Sequence, residues 1–133
     1  MKSSLLTVAV ALVLTSACGA DADVEAVRSY SLGLRVDDSA DRYRYVATDV
    51  VDIRVGDEVT FELENTGTLG HDLQVVDPEG TTLGTANPIA PGARAEVTVR
   101  FGEAGLHRLN CLVDDHLIAH EMQTLFEVTD PSG

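Results

Sequence analysis

The sequence predicts an all-β domain, a sandwich of about eight short strands, on three observations. Apolar and polar residues alternate with period two in short runs, the pattern of a strand with one face buried. Turn formers separate the runs, among them Gly56-Asp57, Asn65-Thr66-Gly67, Asp77-Pro78-Glu79-Gly80, Asn87-Pro88 and Pro91-Gly92. No segment of the domain shows the sustained apolar period of an amphipathic helix, although residues 114–121 have room for one turn.

Residues 1–17 have the form of a secretory leader of lipoprotein type: Lys2, an apolar run from Leu5 to Leu14, then Thr15-Ser16-Ala17 ahead of Cys18. The apolar run is about ten residues, against the roughly twenty that cross a bilayer. Cys18, after small residues and before Gly19, resembles the lipidated cysteine of bacterial lipoproteins. It departs from their pattern in having Thr15, not leucine, three places ahead, with Leu14 one place further back. Lipidation of Cys18 is the expectation. The alternative is ordinary cleavage nearby, with Cys18 left as a thiol or as a disulfide partner of Cys111. Residues 18–29, small and acidic, read as a tether, and residues 30–133 as a single domain. About 115 residues beyond the leader suffice for one core.

Within the domain the expected strands are 30–35, 43–47, 50–55, 59–64, 73–76, 95–101, 106–111 and 122–128. The phase is clearest where Val97, Val99 and Phe101 alternate with Glu96, Thr98 and Arg100, which puts three apolar side chains on one face. Asn87-Pro88 reads as a turn between strands.

The whole chain carries 9 basic and 22 acidic side chains, a formal charge of −13; loss of Lys2 with the leader leaves eight arginines and a charge of −14. Such a balance argues against nucleic acid as a partner. It keeps the protein soluble beside an anionic membrane and steers it toward cationic surfaces at low salt.

Of the two cysteines only Cys111 lies in the domain. An exported protein meets oxidising surroundings, so an unpaired thiol there needs protection. Metal ligation supplies it, because a bound thiolate is held deprotonated and away from oxidants. Cys111, His116 and Met122 stand as Cys-x4-His-x5-Met, and His71 lies forty residues upstream in Gly-His-Asp-Leu. One thiolate, two imidazoles and a weak axial thioether form the donor set of a trigonal copper site for electron transfer.

The stretch Val55-Gly56-Asp57-Glu58-Val59-Thr60-Phe61 leads to Asn65-Thr66-Gly67 and Gly70-His71-Asp72-Leu73, then to Pro91-Gly92, Gly105 and the loop that opens at Cys111. In that order the motifs resemble the cupredoxins, the small blue copper proteins that include plastocyanin and azurin, over roughly residues 43–129. The resemblance implies a two-sheet Greek-key β-sandwich with one copper ion at one end, between His71 after one strand and the loop joining the last two. It implies Cys111 as the thiolate ligand, His71 and His116 as equatorial nitrogen ligands, and Met122 as the axial ligand. The edge of His116 would be the door for electrons. Met122 follows His116 by six positions, where relatives show three to five, so Glu121 and His120 stay open as alternatives. Strand phase favours Met122, which shares its parity with Thr124, Phe126 and Val128, whereas Glu121 falls with Gln123 and Glu127.

Other positions depart from the family. Asp114-Asp115 stand where many relatives have Pro-Gly, and His107 and Leu109 replace aromatic residues. A charged Asp115 close to the site would favour Cu(II) and lower the reduction potential. Asp72, directly after His71, is expected to orient the loop through backbone hydrogen bonds. His107, inside a strand, reads as a packed or hydrogen-bonded residue.

The expected function is electron transfer by a mononuclear copper protein and not catalysis. A binuclear centre needs a second nearby cysteine, and a multicopper oxidase needs many more than four histidines. Lipid on Cys18 would hold a monomer on the outer face of the cytoplasmic membrane, raising its effective concentration near a membrane-associated redox partner. The rivals are a copper chaperone or store for a membrane oxidase, a metal-free interaction module and, if Glu121 coordinates, a red-type centre with an open position.

Overall fold

The computed structural model describes residues 26–132. The leader, Cys18 with its expected lipid, and most of the tether lie outside these residues. Nine strands run through the described chain: β1 (Ser29–Asp37), β2 (Arg44–Ala47), β3 (Ile53–Arg54), β4 (Glu58–Glu64), β5 (His71–Val76), β6 (Thr82–Ile89), β7 (Arg94–Arg100), β8 (Gly105–Asn110) and β9 (Gln123–Thr129). They form two sheets, ordered β2-β1-β4-β7 and β3-β9-β8-β5-β6. The chain leaves the first sheet after β2, lends β3 to the edge of the second and returns as β4, so β4 lies parallel to β1 and β3 parallel to β9.

Period-two alternation becomes burial. Leu32, Leu34 and Val36 of β1, Val59, Phe61 and Leu63 of β4, and Val97 and Val99 of β7 turn inward, meeting Leu73, Val75, Leu109 and Val128 of the other sheet. Register places Phe61 between Leu32 and Val97. The Phe61 ring meets Phe101 and Phe126 edge-on, with centroids 6.3 and 6.2 Å away. Each fully buried side chain of this size contributes about 1.5–3 kcal/mol.

Three expectations about elements change. Residues 82–89 form a ninth strand, and Asn87-Pro88, expected as a turn, lie inside it. β6 is the edge of its sheet, where a proline without an N–H is tolerated. The pairing also shifts there: Ala86 faces Leu73 and Ile89 faces His71, so two residues oppose Asp72. The expected strand 50–55 contracts to Ile53–Arg54, because Ile53 alone of that run reaches full burial, while Val50 is wholly exposed. Asp114 to Glu121 form turns with a single helical bond, from the Ala119 amide to the Asp115 carbonyl at 2.7 Å. Among the described residues no helix is long and apolar enough to cross a membrane.

Candidate metal centre

β5 and β8 are antiparallel neighbours with Gln74 opposite Asn110, so the start of one meets the end of the other. His71 opens β5, Cys111 follows the last residue of β8, and His116 sits on the loop to β9. The Cys111 Sγ stands 3.8 Å from His71 Nδ1 and 3.6 Å from His116 Nδ1. The three donor atoms lie within 4.8 Å of one another, and the side chains are buried, His116 the most accessible at 5% exposure. A nitrogen and a sulfur bound to one ion at about 2.0–2.3 Å, in trigonal or tetrahedral geometry, stand about 3.6–3.8 Å apart. The group therefore fits a single metal ion.

Its electrostatics suit a cation. Burial pushes the Cys111 thiol up. Burial, followed by the neighbouring His71, holds His116 below the ordinary histidine value. His116 is thus in its neutral ligand form, and an arriving cation has the thiol proton to displace.

Hydrogen bonds tie the loop to the strands. The Cys111 amide donates to the Met122 carbonyl at 3.2 Å, the Met122 amide to the His116 carbonyl at 2.9 Å, and the His116 amide to the Val113 carbonyl at 3.0 Å. Asp72 Oδ1 accepts the Leu112 amide at 2.7 Å, so the residue after His71 grips the residue after Cys111. The buried Tyr45 hydroxyl donates to the Asp72 carbonyl, with the Asn110 carbonyl 3.2 Å away. Burial, then the field of Cys111 and Asp72, pushes that phenol far above its ordinary value, so it stays a donor. Asn65 Nδ2 donates to the Leu69 and Ile89 carbonyls at 2.8 and 3.0 Å, closing the loop that delivers His71.

The three candidates for the fourth donor separate. Met122 is fully buried in the same cluster as Cys111. Glu121, at φ 49°, has a 72% exposed side chain 3.8 Å from Arg42. His120 donates its Nδ1–H to the Asp41 carbonyl at 2.8 Å and stacks on Tyr43, centroids 4.0 Å apart. Asp115 is 69% exposed and 3.9 Å from His120 Nε2. His107 is a core residue: its Nδ1–H donates to the Gly105 carbonyl at 3.0 Å, and it packs on Phe101 and Phe126.

Sequence reasoning missed two neighbours of the ligand set. Asp38 places Oδ2 2.8 Å from His71 Nε2, with a side chain 2% exposed. It lies thirty-three residues from His71 inside the polar run Asp37-Asp38-Ser39-Ala40-Asp41, which reads as a turn. Tyr43 presents its ring edge-on to His116 at 5.1 Å, over the imidazole expected to open to solvent. Its aromatic type beside the β2 start was visible, but its position over the loop was not.

No protein-family model matches this sequence, and no curated protein matches it. Solved structures do. Auracyanin from the photosynthetic bacterium Roseiflexus castenholzii superposes with a TM-score of 0.60 at 14% identity, over 77% of this chain and 98% of that one. Auracyanin A, a "blue" copper protein from the green thermophilic photosynthetic bacterium Chloroflexus aurantiacus, gives 0.61 at 15% identity, over 76% and 99%. Reduced rusticyanin gives 0.56 at 13% identity, over 78% and 81%. With two mixed sheets matching these proteins along most of their length, the chain has the cupredoxin fold.

Proposed function

We propose that the protein carries electrons through one copper ion that His71, Cys111 and His116 would hold, with Met122 as the fourth donor. The observation that carries this reading is the buried group of one thiol and two imidazoles at the end of the sandwich. Zinc accepts the same three donors. Copper is favoured by the buried thioether of Met122, a soft fourth donor, and by the likeness in fold to a protein described as a blue copper protein. When bound, copper supplies a one-electron couple between Cu(II) and Cu(I).

The chain's own residues keep that couple reversible. Cys111 and His71 are held at strand ends, His116 by the backbone bonds of its loop, and the Asp72–Leu112 bond joins the two sides, so the donors need little rearrangement on electron transfer. The donor group is buried away from solvent, which favours a carrier over an enzyme. The edge of His116 is covered by Tyr43, which stacks on the partly exposed His120, and this aromatic pair is the proposed path between ligand and surface. Lipid on Cys18 would anchor the domain outside the cytoplasmic membrane as a monomer. The acidic surface then favours a membrane-associated redox partner with a cationic docking patch.

The test adds Cu(II) to the full-length chain and follows the visible spectrum. The expected result is an intense thiolate-to-copper band that a reductant bleaches and an oxidant restores. A colourless protein that binds Cu(I) alone points to the copper chaperone or store, and one that binds no metal to an interaction module. Recovery of a Cys18→Ala variant from the soluble fraction, with the parent in membranes, is expected of the anchor.

A further inference from the structure

Two acidic side chains, Asp38 and Asp57, are almost wholly buried, and only one has an ordinary explanation. Asp57 accepts from Tyr30 at 2.8 Å and from the Arg54 amide at 2.9 Å, and pairs with Arg28 at 3.1 Å. A permanent cation compensates its burial. Asp38 has no such partner. Its hydrogen bonds come from the Thr68 amide at 2.9 Å, the Leu69 amide at 3.1 Å and the Thr68 hydroxyl at 3.3 Å, and its Oδ2 meets His71 Nε2 at 2.8 Å. Burial opposes its ionisation, yet the His71 and amide bonds outweigh burial and hold the carboxyl below its usual range.

The loop 65–70 is shaped around that carboxylate. Asn65 Oδ1 accepts the Gly67 amide at 3.1 Å, which turns the next two amides toward Asp38. A Cβ on Gly67 would collide with the Asp38 carboxyl group. Thr66 ties the same loop to the end of β1, its hydroxyl donating to the Val36 carbonyl at 2.7 Å and accepting the Val36 amide at 3.1 Å.

We propose that Asp38 is a positioning residue for the metal site, the carboxylate of a carboxylate–histidine–metal relay through His71, and that it biases the bound copper toward Cu(II). The proposal rests on the copper reading above. A carboxylate accepts, so Nε2 of His71 keeps its hydrogen and Nδ1 keeps its lone pair facing Cys111. The negative charge, one imidazole away in a site closed to water, favours the more highly charged oxidation state. Asp115 is the internal contrast, being exposed and screened.

Three readouts on the full-length protein test this. In the metal-free parent, ring-nitrogen NMR is expected to find neutral His71 as the Nε2–H tautomer; an Nδ1–H tautomer would overturn the proposal whether or not copper binds. Asp38→Asn, which keeps an acceptor oxygen and removes the charge, is expected to keep the visible band while Cu(II) affinity falls about 10–100-fold relative to Cu(I). That raises the reduction potential by about 59 mV per tenfold. A retained band with an unchanged or lowered potential overturns it. Should Asp38→Asn fail to fold, Gly67→Ala, which pushes an intact carboxylate off His71, must raise the potential in the same direction, and an unchanged potential there is equally decisive against it. A parent that binds no copper sinks the proposed function, and the tautomer still judges Asp38.

Discussion

His71 belongs to a strand, its ring is fully buried, and its far nitrogen is held by a carboxylate; His116 belongs to a loop, and its ring is covered by an aromatic side chain that is itself only partly buried. Both present Nδ1 to the same sulfur. Under the proposed function, the difference would divide labour within one ligand set. The His71 side is fixed by the same hydrogen bonds that close the sandwich, so it resists change when charge arrives. The His116 side is joined to the rest by short local bonds and faces the surface through Tyr43 and His120, as the proposed electron exchange requires.

Removing each ring from the metal-free protein breaks this comparison most sharply. His71→Ala strips the buried Asp38 of its imidazole donor, and denaturant unfolding is expected to show a loss of about 3 kcal/mol. His116→Ala leaves no buried charge behind and is expected to cost about 1 kcal/mol. Equal losses would remove the distinction. Next in size, Asp72→Ala frees the Leu112 amide, the strap between the two sides. It is expected to cost about 1 kcal/mol, and copper release from the variant should be faster than from the parent.

Tyr43→Leu sharpens the loop side. Electron exchange with a small inorganic complex is expected to slow several-fold while the potential stays put, and Tyr43→Phe, which keeps the stacked ring, should behave as the parent. A slowed Tyr43→Phe would mean that the hydroxyl and not the ring matters. The smallest effect is expected at Asp115. Asp115→Asn should raise the potential by less than Asp38→Asn, and the rise should shrink as salt is added, because a carboxylate that is 69% exposed is screened. A lowered potential would contradict the sign of the effect.

Much of this was legible before any coordinates. Alternation located eight of the nine described strands, drawing β3 too long, and put Val97, Val99 and Phe101 in the core, since a one-residue slip would have exposed all three. Parity separated the fully buried Met122 from the exposed Glu121 across a single peptide bond. The ligand trio was legible because two of its members lie five residues apart on one loop. β6 was missed because an edge strand with a bulge tolerates the Asn87-Pro88 pair that elsewhere marks a turn. Asp38 was missed for a deeper reason: a hydrogen bond to His71 across thirty-three residues leaves no spacing signal, and the chain offers twenty-two acidic side chains to choose from. Tyr43 covers His116 through the path of the β1–β2 connection, which alternation does not encode.

The central claim is that His71, Cys111 and His116 hold one copper ion through the Cys111 sulfur. Optical titration of the full-length protein with Cu(II) tests it most directly. The visible thiolate band should grow to one equivalent and stop, and Cys111→Ser should show none of it. A parent without the band, or a band that survives in Cys111→Ser, would contradict the account.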